Sequence, residues 1–187
     1  MEIELDRNVQ QRHGILPETT SDEFSRQEFV KSLKFHLAAK VSPGNKGAFE
    51  ARARPAYARA HGRDPATYAE IRKAMANEPY FAFWSSLQRN SQEMMWKSVQ
   101  IPVERQLPAL VATAKAMTEQ GTLRLDPQLE IPRYHRSVDI HCMPGGYHTE
   151  FTADDVANGA VYDSAVYIYA MGRMGPLNSE IGDTTIA

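Results

Sequence analysis

Apolar residues recur at three- to four-residue spacing as far as Gly121, and that rhythm predicts helices. Thr20-Ser21-Asp22-Glu23 has the form of a capping box, in which a hydroxyl and a carboxylate satisfy two free amides at a helix start. The helix it opens carries Phe29, Val30, Leu33, Leu37 and Val41 on one face and ends at Ser42-Pro43-Gly44-Asn45. A second is expected from about Gly47 to Ala60, kinked at Pro55 and closed by His61-Gly62-Arg63. Asp64-Pro65 is expected to cap a third, with Tyr68, Ile71 and Met75 sharing a face, and Asn77-Glu78-Pro79 breaks it. The fourth starts near Tyr80 and carries Trp84, Leu87, Ser91, Met94, Met95 and Ser98. Pro102 is expected to interrupt it before Val103, Leu107, Leu110, Val111, Ala114 and Met117 extend the stripe. Large apolar residues at this spacing are core before they are anything else.

Two segments depart from this rhythm. Residues 1–19 have no periodicity and read as a mobile arm or a strap. After Gly121, Leu123-Arg124-Leu125-Asp126-Pro127 and Leu129-Glu130-Ile131-Pro132 alternate, as short extended pieces or a linker would. Thr152-Ala153-Asp154-Asp155 then reads as a helix start, its carboxylates suited to the positive end of the helix dipole. Val166-Tyr167-Ile168-Tyr169 is strand-like by propensity and helical by context, and is assigned to a helix. The expected fold is mainly α: a helical domain over 20–121, followed by a mixed helix and loop segment over 122–187. That second segment is expected to be the less stable of the two.

Composition narrows the class. The 187 residues are 42% hydrophobic with a net charge of −2, enough chain for a real core. No apolar run is long enough to span a bilayer, and Met1-Glu2-Ile3-Glu4-Leu5-Asp6 is not a signal peptide. The single cysteine, Cys142, excludes an internal disulfide framework and fits a cytoplasmic setting. Charge is uneven: residues 1–120 hold 17 Lys and Arg against 14 Asp and Glu, residues 121–187 only 4 against 9. The basic set Arg52, Arg54, Arg59, Arg63, Arg72 and Lys73 is interspersed with Glu50, Asp64 and Glu70, so no nucleic-acid interface is expected.

Residues 139–150, Asp-Ile-His-Cys-Met-Pro-Gly-Gly-Tyr-His-Thr-Glu, concentrate the chemistry. Two imidazoles, a thiol, a phenol and two carboxylates flank a Pro-Gly-Gly reversal, whose glycines admit positive φ. A buried turn with backbone-bonded histidines explains this as well as a functional site does. His135, His141, Cys142 and His148 offer zinc-type ligands, but their spacing matches no finger or ribbon. No metal site is assigned. Cys142 lacks the setting of an activated nucleophile.

Pro132-Arg133-Tyr134, Val138 to His148 and Asp154 to Asp163 together resemble a region of bacterial class I S-adenosylmethionine (SAM)-dependent methyltransferases. The similarity extends upstream through Phe49 to Arg52, His61 to Pro65 and Trp84 to Trp96, and so covers residues 20–187. In that family the region precedes the SAM-binding domain. The resemblance implies an accessory, substrate-binding or lid part of a small-molecule methyltransferase, with SAM as the cofactor of the full-length protein. It implies His141, His148 and Tyr147 as candidates for catalysis, with Tyr134, Asp139, Glu150, Tyr162 and Asp163 lining the methyl-acceptor site. His is the one side chain here that titrates near neutrality when unperturbed.

The SAM seat itself is not legible. Class I enzymes need a strand, a glycine-rich turn and a helix, with an acidic residue about 20 positions on. Gly44-Asn45-Lys46-Gly47 follows a helical pattern, and Gly172-Arg173-Met174-Gly175 runs into Pro176. The α/β Rossmann-like domain is therefore expected downstream, in cis, and the 187-residue chain by itself is expected to be inactive and to hold no cofactor. The rival reading is a stand-alone helical protein-interaction module with charge-split faces. In either case the helical domain is a candidate homodimer surface.

Overall fold

Twice in this chain a threonine three residues ahead of a glutamate starts a helix. The Thr20 hydroxyl accepts from the Glu23 amide at 3.2 Å while the Glu23 carboxylate accepts from the Thr20 amide at 2.8 Å. Thr67 and Glu70 make the same reciprocal pair, both bonds at 3.2 Å. The cap of this second helix was expected at Asp64-Pro65. Thr67 takes the role because its backbone is extended and its hydroxyl lies three residues before an acid.

The computed structural model describes residues 10–118, 121, 122, 124–137, 139, 141–146, 149, 152 and 155–186. Among them the order is α1 (Ser21–His36), α2 (Gly44–Ala48), α3 (Arg54–His61), α4 (Tyr68–Met75), α5 (Pro79–Ala116), α6 (Arg133–Ser137), α7 (Val156–Tyr169) and α8 (Glu180–Ile186). The described residues form no strand, so the fold is mainly α as expected. Wider π turns follow α1 at Leu37–Val41 and α2 at Phe49–Ala53. The second lies just ahead of Pro55, which has no N–H to give the helix, and such turns are a recognised cause of bends. Gly62 ends α3 at φ 70°, where its amide reaches the Ala58 carbonyl at 2.8 Å.

Pro102 does not interrupt the fourth predicted helix. α5 runs unbroken for 38 residues with Pro102 and Pro108 inside it. A proline at 102 leaves the Ser98 carbonyl without its amide donor. Gln27 of α1 replaces that donor, its side-chain amide reaching the Ser98 carbonyl at 3.3 Å. The sequence pattern shows the loss and not the replacement.

The chain divides into two compact units, Ser32–Ser91 and the remainder, and not at Gly121 where the texture changes. In Ser32–Ser91, Ala48, Ala53 and Met75 form a small core with Phe49, Tyr80 and Phe81 packed on it. Tyr68 and Ile71, expected beside Met75, are exposed. In the other unit Val30 of α1 and Met95, Trp96, Val99, Val103 and Leu110 of α5 meet Ala160, Val161, Ala165 and Ile168 of α7. α7 thus belongs to the principal core. By contrast, the described residues of 124–137 are all exposed.

Residues 10–19 of the expected arm are tied down, and residues 1–9 lie outside the described set. The Gln11 amide reaches the Pro176 carbonyl at 2.8 Å, and the Glu18 amide reaches Gln106 Oε1 at 2.9 Å. Arg105 closes the strap with bonds to the Glu18 carbonyl and to both Glu23 oxygens. These bonds hold the Glu23 carboxyl below the usual carboxylate range.

Candidate functional site

The reversal at 139–150 is built much as its glycines require. Gly145 and Gly146 sit at φ 75° and 67°, and the Gly146 amide donates to the Met143 carbonyl at 2.9 Å. Cys142 also has positive φ, at 56°, an uncommon conformation for a residue with a Cβ. The loop is pinned ahead of its glycines. Asp139 Oδ1 accepts from the His141 amide at 2.8 Å, and Met143 is buried in the core. The His141 carbonyl accepts from Trp96 Nε1 at 2.5 Å and from Gln92 Nε2 at 3.1 Å. Trp96 therefore does two things: its ring fills the core, and its N–H fixes the loop.

A cleft opens beside this anchor. One recess, about 80 Å³, is lined by Gln92, Trp96, His141, Tyr162, Val166 and Tyr169, among others. A wider one, about 310 Å³, is lined by Met143, Asp155, Asn158, Gly159 and Tyr162. Tyr162 is common to both. On α7 the residues 158, 162, 165 or 166, and 169 recur at three- and four-residue steps, so they share one face. Over those residues the helix rises about 16 Å. The cleft is thus a two-lobed trough along α7 with Tyr162 at its waist. Tyr162 and Tyr169 remain 47% and 56% exposed, open to a ligand.

The site residues expected from the sequence fare unequally. His141 and Tyr162 share the narrow lobe. Asp139 braces the loop behind His141, and its other oxygen, Oδ2, is buried without a hydrogen-bond partner among the described residues. Asp163 is directed elsewhere: it accepts from Gln10 Nε2 at 3.1 Å and from Asn178 Nδ2 at 3.0 Å, and pairs with His13 Nε2 at 2.9 Å. One residue along a helix turns a side chain by about 100°, which separates Asp163 from Tyr162. Tyr134 stands 76% exposed on α6 and lines neither lobe. Tyr147, His148 and Glu150 lie outside the described residues. The zinc alternative gains nothing: no three His, Cys, Asp or Glu side chains gather as ligands among the described residues.

Three participants were missed. Trp96, Asp155 and Tyr169 take part although Trp96 reads as core and Asp155 as a helix cap. Asp155 does not cap α7. Its backbone is left-handed at φ 52° and its side chain makes no cap bond. The Thr152 hydroxyl instead accepts from the Ala157 amide at 3.4 Å. Asp155 Oδ1 is buried without a hydrogen-bond partner among the described residues. The seven-residue spacing of Tyr162 and Tyr169 is the one trace of this face that the sequence carried.

A separate groove of about 380 Å³ runs between α1 and α5, with Phe29, Val30, Met94 and Ile101 as its apolar floor and Arg26 and Lys97 on its rim. No described helix is long and apolar enough to cross a membrane. No protein-family model matches the chain, and neither a curated protein nor a solved structure proved similar to it.

Proposed function

We propose that this chain is the acceptor-binding, lid-forming helical part of a small-molecule SAM-dependent methyltransferase. The two-lobed trough along α7 is the observation that carries the reading. It is aromatic, open on one side, and bordered by the same 139–146 loop that resembles the accessory region of such enzymes. Methyl transfer needs the acceptor atom held in line with the methyl group and shielded from water. A rigid trough can hold the acceptor, and His141 at its edge can take the acceptor's proton. On this reading the SAM seat lies in a further domain acting in cis, as the resemblance implies.

The test uses the protein together with its SAM-binding domain, isotope-labelled SAM and a fractionated small-molecule extract. Label should appear in a small-molecule product, and Tyr162→Ala should reduce it while leaving the melting temperature near that of the parent. A folded protein that binds no SAM and labels nothing overturns the reading. The interaction-module alternative has its own support in the α1–α5 groove, where Phe29 and Met94 stay largely exposed.

A further inference from the structure

The wide lobe of the trough presents a carboxylate and an aromatic ring to the same space. Asp155 and Tyr162 both line it, with Asn158 and Gly159 between them on the helix. An added Cβ at Gly159 would meet nothing within 4 Å, so the backbone leaves this wall open. Asp155 Oδ1 is buried with no hydrogen-bond partner among the described residues, which is costly to maintain. Asp155 has been released from the capping duty that an aspartate at a helix start ordinarily performs, because the Thr152 hydroxyl takes the amide it would bond. The surrounding segment is acidic as well: residues 121–187 carry 9 Asp and Glu against 4 Lys and Arg. Carboxylate, aromatic face and negative surroundings together favour a cation, since a ring's negative face attracts an ammonium and the wider field raises its local concentration.

We propose that the wide lobe binds the ammonium group of an amine, held between the Asp155 carboxylate and the Tyr162 ring, with the apolar remainder of the molecule lying across Tyr162 toward Trp96 and Tyr169. This assigns a substrate class, amine-bearing acceptors, to the trough, and it rests on the reading of that trough as the acceptor site. The narrow lobe, at about 80 Å³, takes only part of a ring or a short chain. The cation end therefore sets the selectivity.

Three probes of one shape decide it on the full chain: phenethylamine, 2-phenylethanol and 3-phenylpropionate, titrated by ligand-observed NMR at pH 7. Phenethylamine should bind at least tenfold more tightly than the alcohol, and the carboxylate weakest. Asp155→Asn should erase the preference for the amine while leaving the alcohol's affinity unchanged. Asparagine tolerates left-handed backbone, so the fold at φ 52° is preserved. Tyr162→Leu should weaken the amine more than the alcohol. Equal binding of amine and alcohol, or a preference unaltered by Asp155→Asn, overturns the cation assignment and leaves the trough as a binding site. Absence of binding by all three overturns both the assignment and the trough as an acceptor site. Methyl transfer to a non-amine alone would sink the substrate class and spare the methyltransferase reading.

Discussion

The two units of this chain treat their carboxylates differently. In Ser32–Ser91, buried Glu78 accepts from Arg52 Nε with both oxygens at 3.2 Å, from Arg52 Nη2 at 2.5 Å and from the Tyr80 amide at 3.2 Å. Glu70 is equally occupied, by Arg63 and by the amides of Ala66 and Thr67. In the other unit Glu23 and Asp163 are saturated in the same way, but Asp139 and Asp155 each keep a buried oxygen with no partner among the described residues. Asp155 lines the trough, and Asp139 braces the loop that borders it. Saturated carboxylates are explained by the fold they hold, whereas an unsatisfied one needs another reason to be there. The apolar cores differ in the same sense. That of Ser32–Ser91 is small and assembled around alanines and one methionine, while the other unit joins three helices and the loop.

The largest expected effect comes from cutting the link between core and loop. Trp96→Ala should destabilise the protein by about 3–5 kcal/mol, the usual cost of removing a buried Trp side chain. It also removes one of two donors to the His141 carbonyl. Chemical denaturation checks the size. If the loss is under 1 kcal/mol, the larger core does not depend on its aromatic centre as the comparison requires.

The small unit should fail through crowding. A Cβ on Gly44 would fall inside contact distance of the Tyr80 ring, whose hydroxyl donates to the Val41 carbonyl at 2.8 Å. Gly44→Ala forces that ring aside and should cost roughly 1–3 kcal/mol as an overpacked site. Thermal melting with Tyr80→Phe as a second background tests it, because the two losses should be less than additive. Smaller again is Gln27→Leu in the other unit. It strands the Ser98 carbonyl opposite Pro102 and should cost about 1 kcal/mol, the low end for an unpaired polar group.

How much of this was legible in the sequence follows from the range of each interaction. The Thr20 capping box, the stop at Gly62 and the helical identity of Val166 to Tyr169 depend on residues a few positions apart, and all were readable. The passage of α5 through Pro102 depends on Gln27, 71 residues away. The membership of α7 in the main core depends on which apolar face meets which, and periodicity says only that a face is buried. The same holds in the trough. Clustered chemistry at 139–150 pointed to His141, but Trp96, Asp155 and Tyr169 reach the site only through the packing of α5, α7 and the loop.

Acid and base should act on Ser32–Ser91 with gentler effects. Hydrogen bonds from Arg63 and from the Ala66 amide pull Glu70 down to about 2, and Arg52 lowers Glu78 in the same direction. A lowered folded-state value means stability that is present above the ordinary glutamate range near 4.5 and is lost as pH falls toward 2. Lys34, buried in the same unit, is lowered by desolvation to about 8 from 10.5. There the unfolded chain binds the proton more tightly, so stability should rise as pH climbs from about 8 toward 10.5. Lys34→Met should flatten that alkaline rise in a series of melting curves, and Glu70→Gln should flatten the acid loss. Unchanged slopes in both variants would show that neither group is linked to folding.

The smallest effect on stability is expected where the functional argument is strongest. The fold uses the carbonyl of His141 to meet Trp96 and Gln92, and the residue is exposed at the edge of the narrow lobe. His141→Ala keeps that carbonyl and should change stability by no more than about 0.5 kcal/mol, as exposed substitutions usually do. If the imidazole takes the acceptor's proton, the same change should slow methyl transfer on the order of 10²–10⁴-fold. A stable variant with an unaltered rate removes His141 from the chemistry and leaves it as an anchor of the loop. A variant that melts early shows instead that the ring belongs to the architecture.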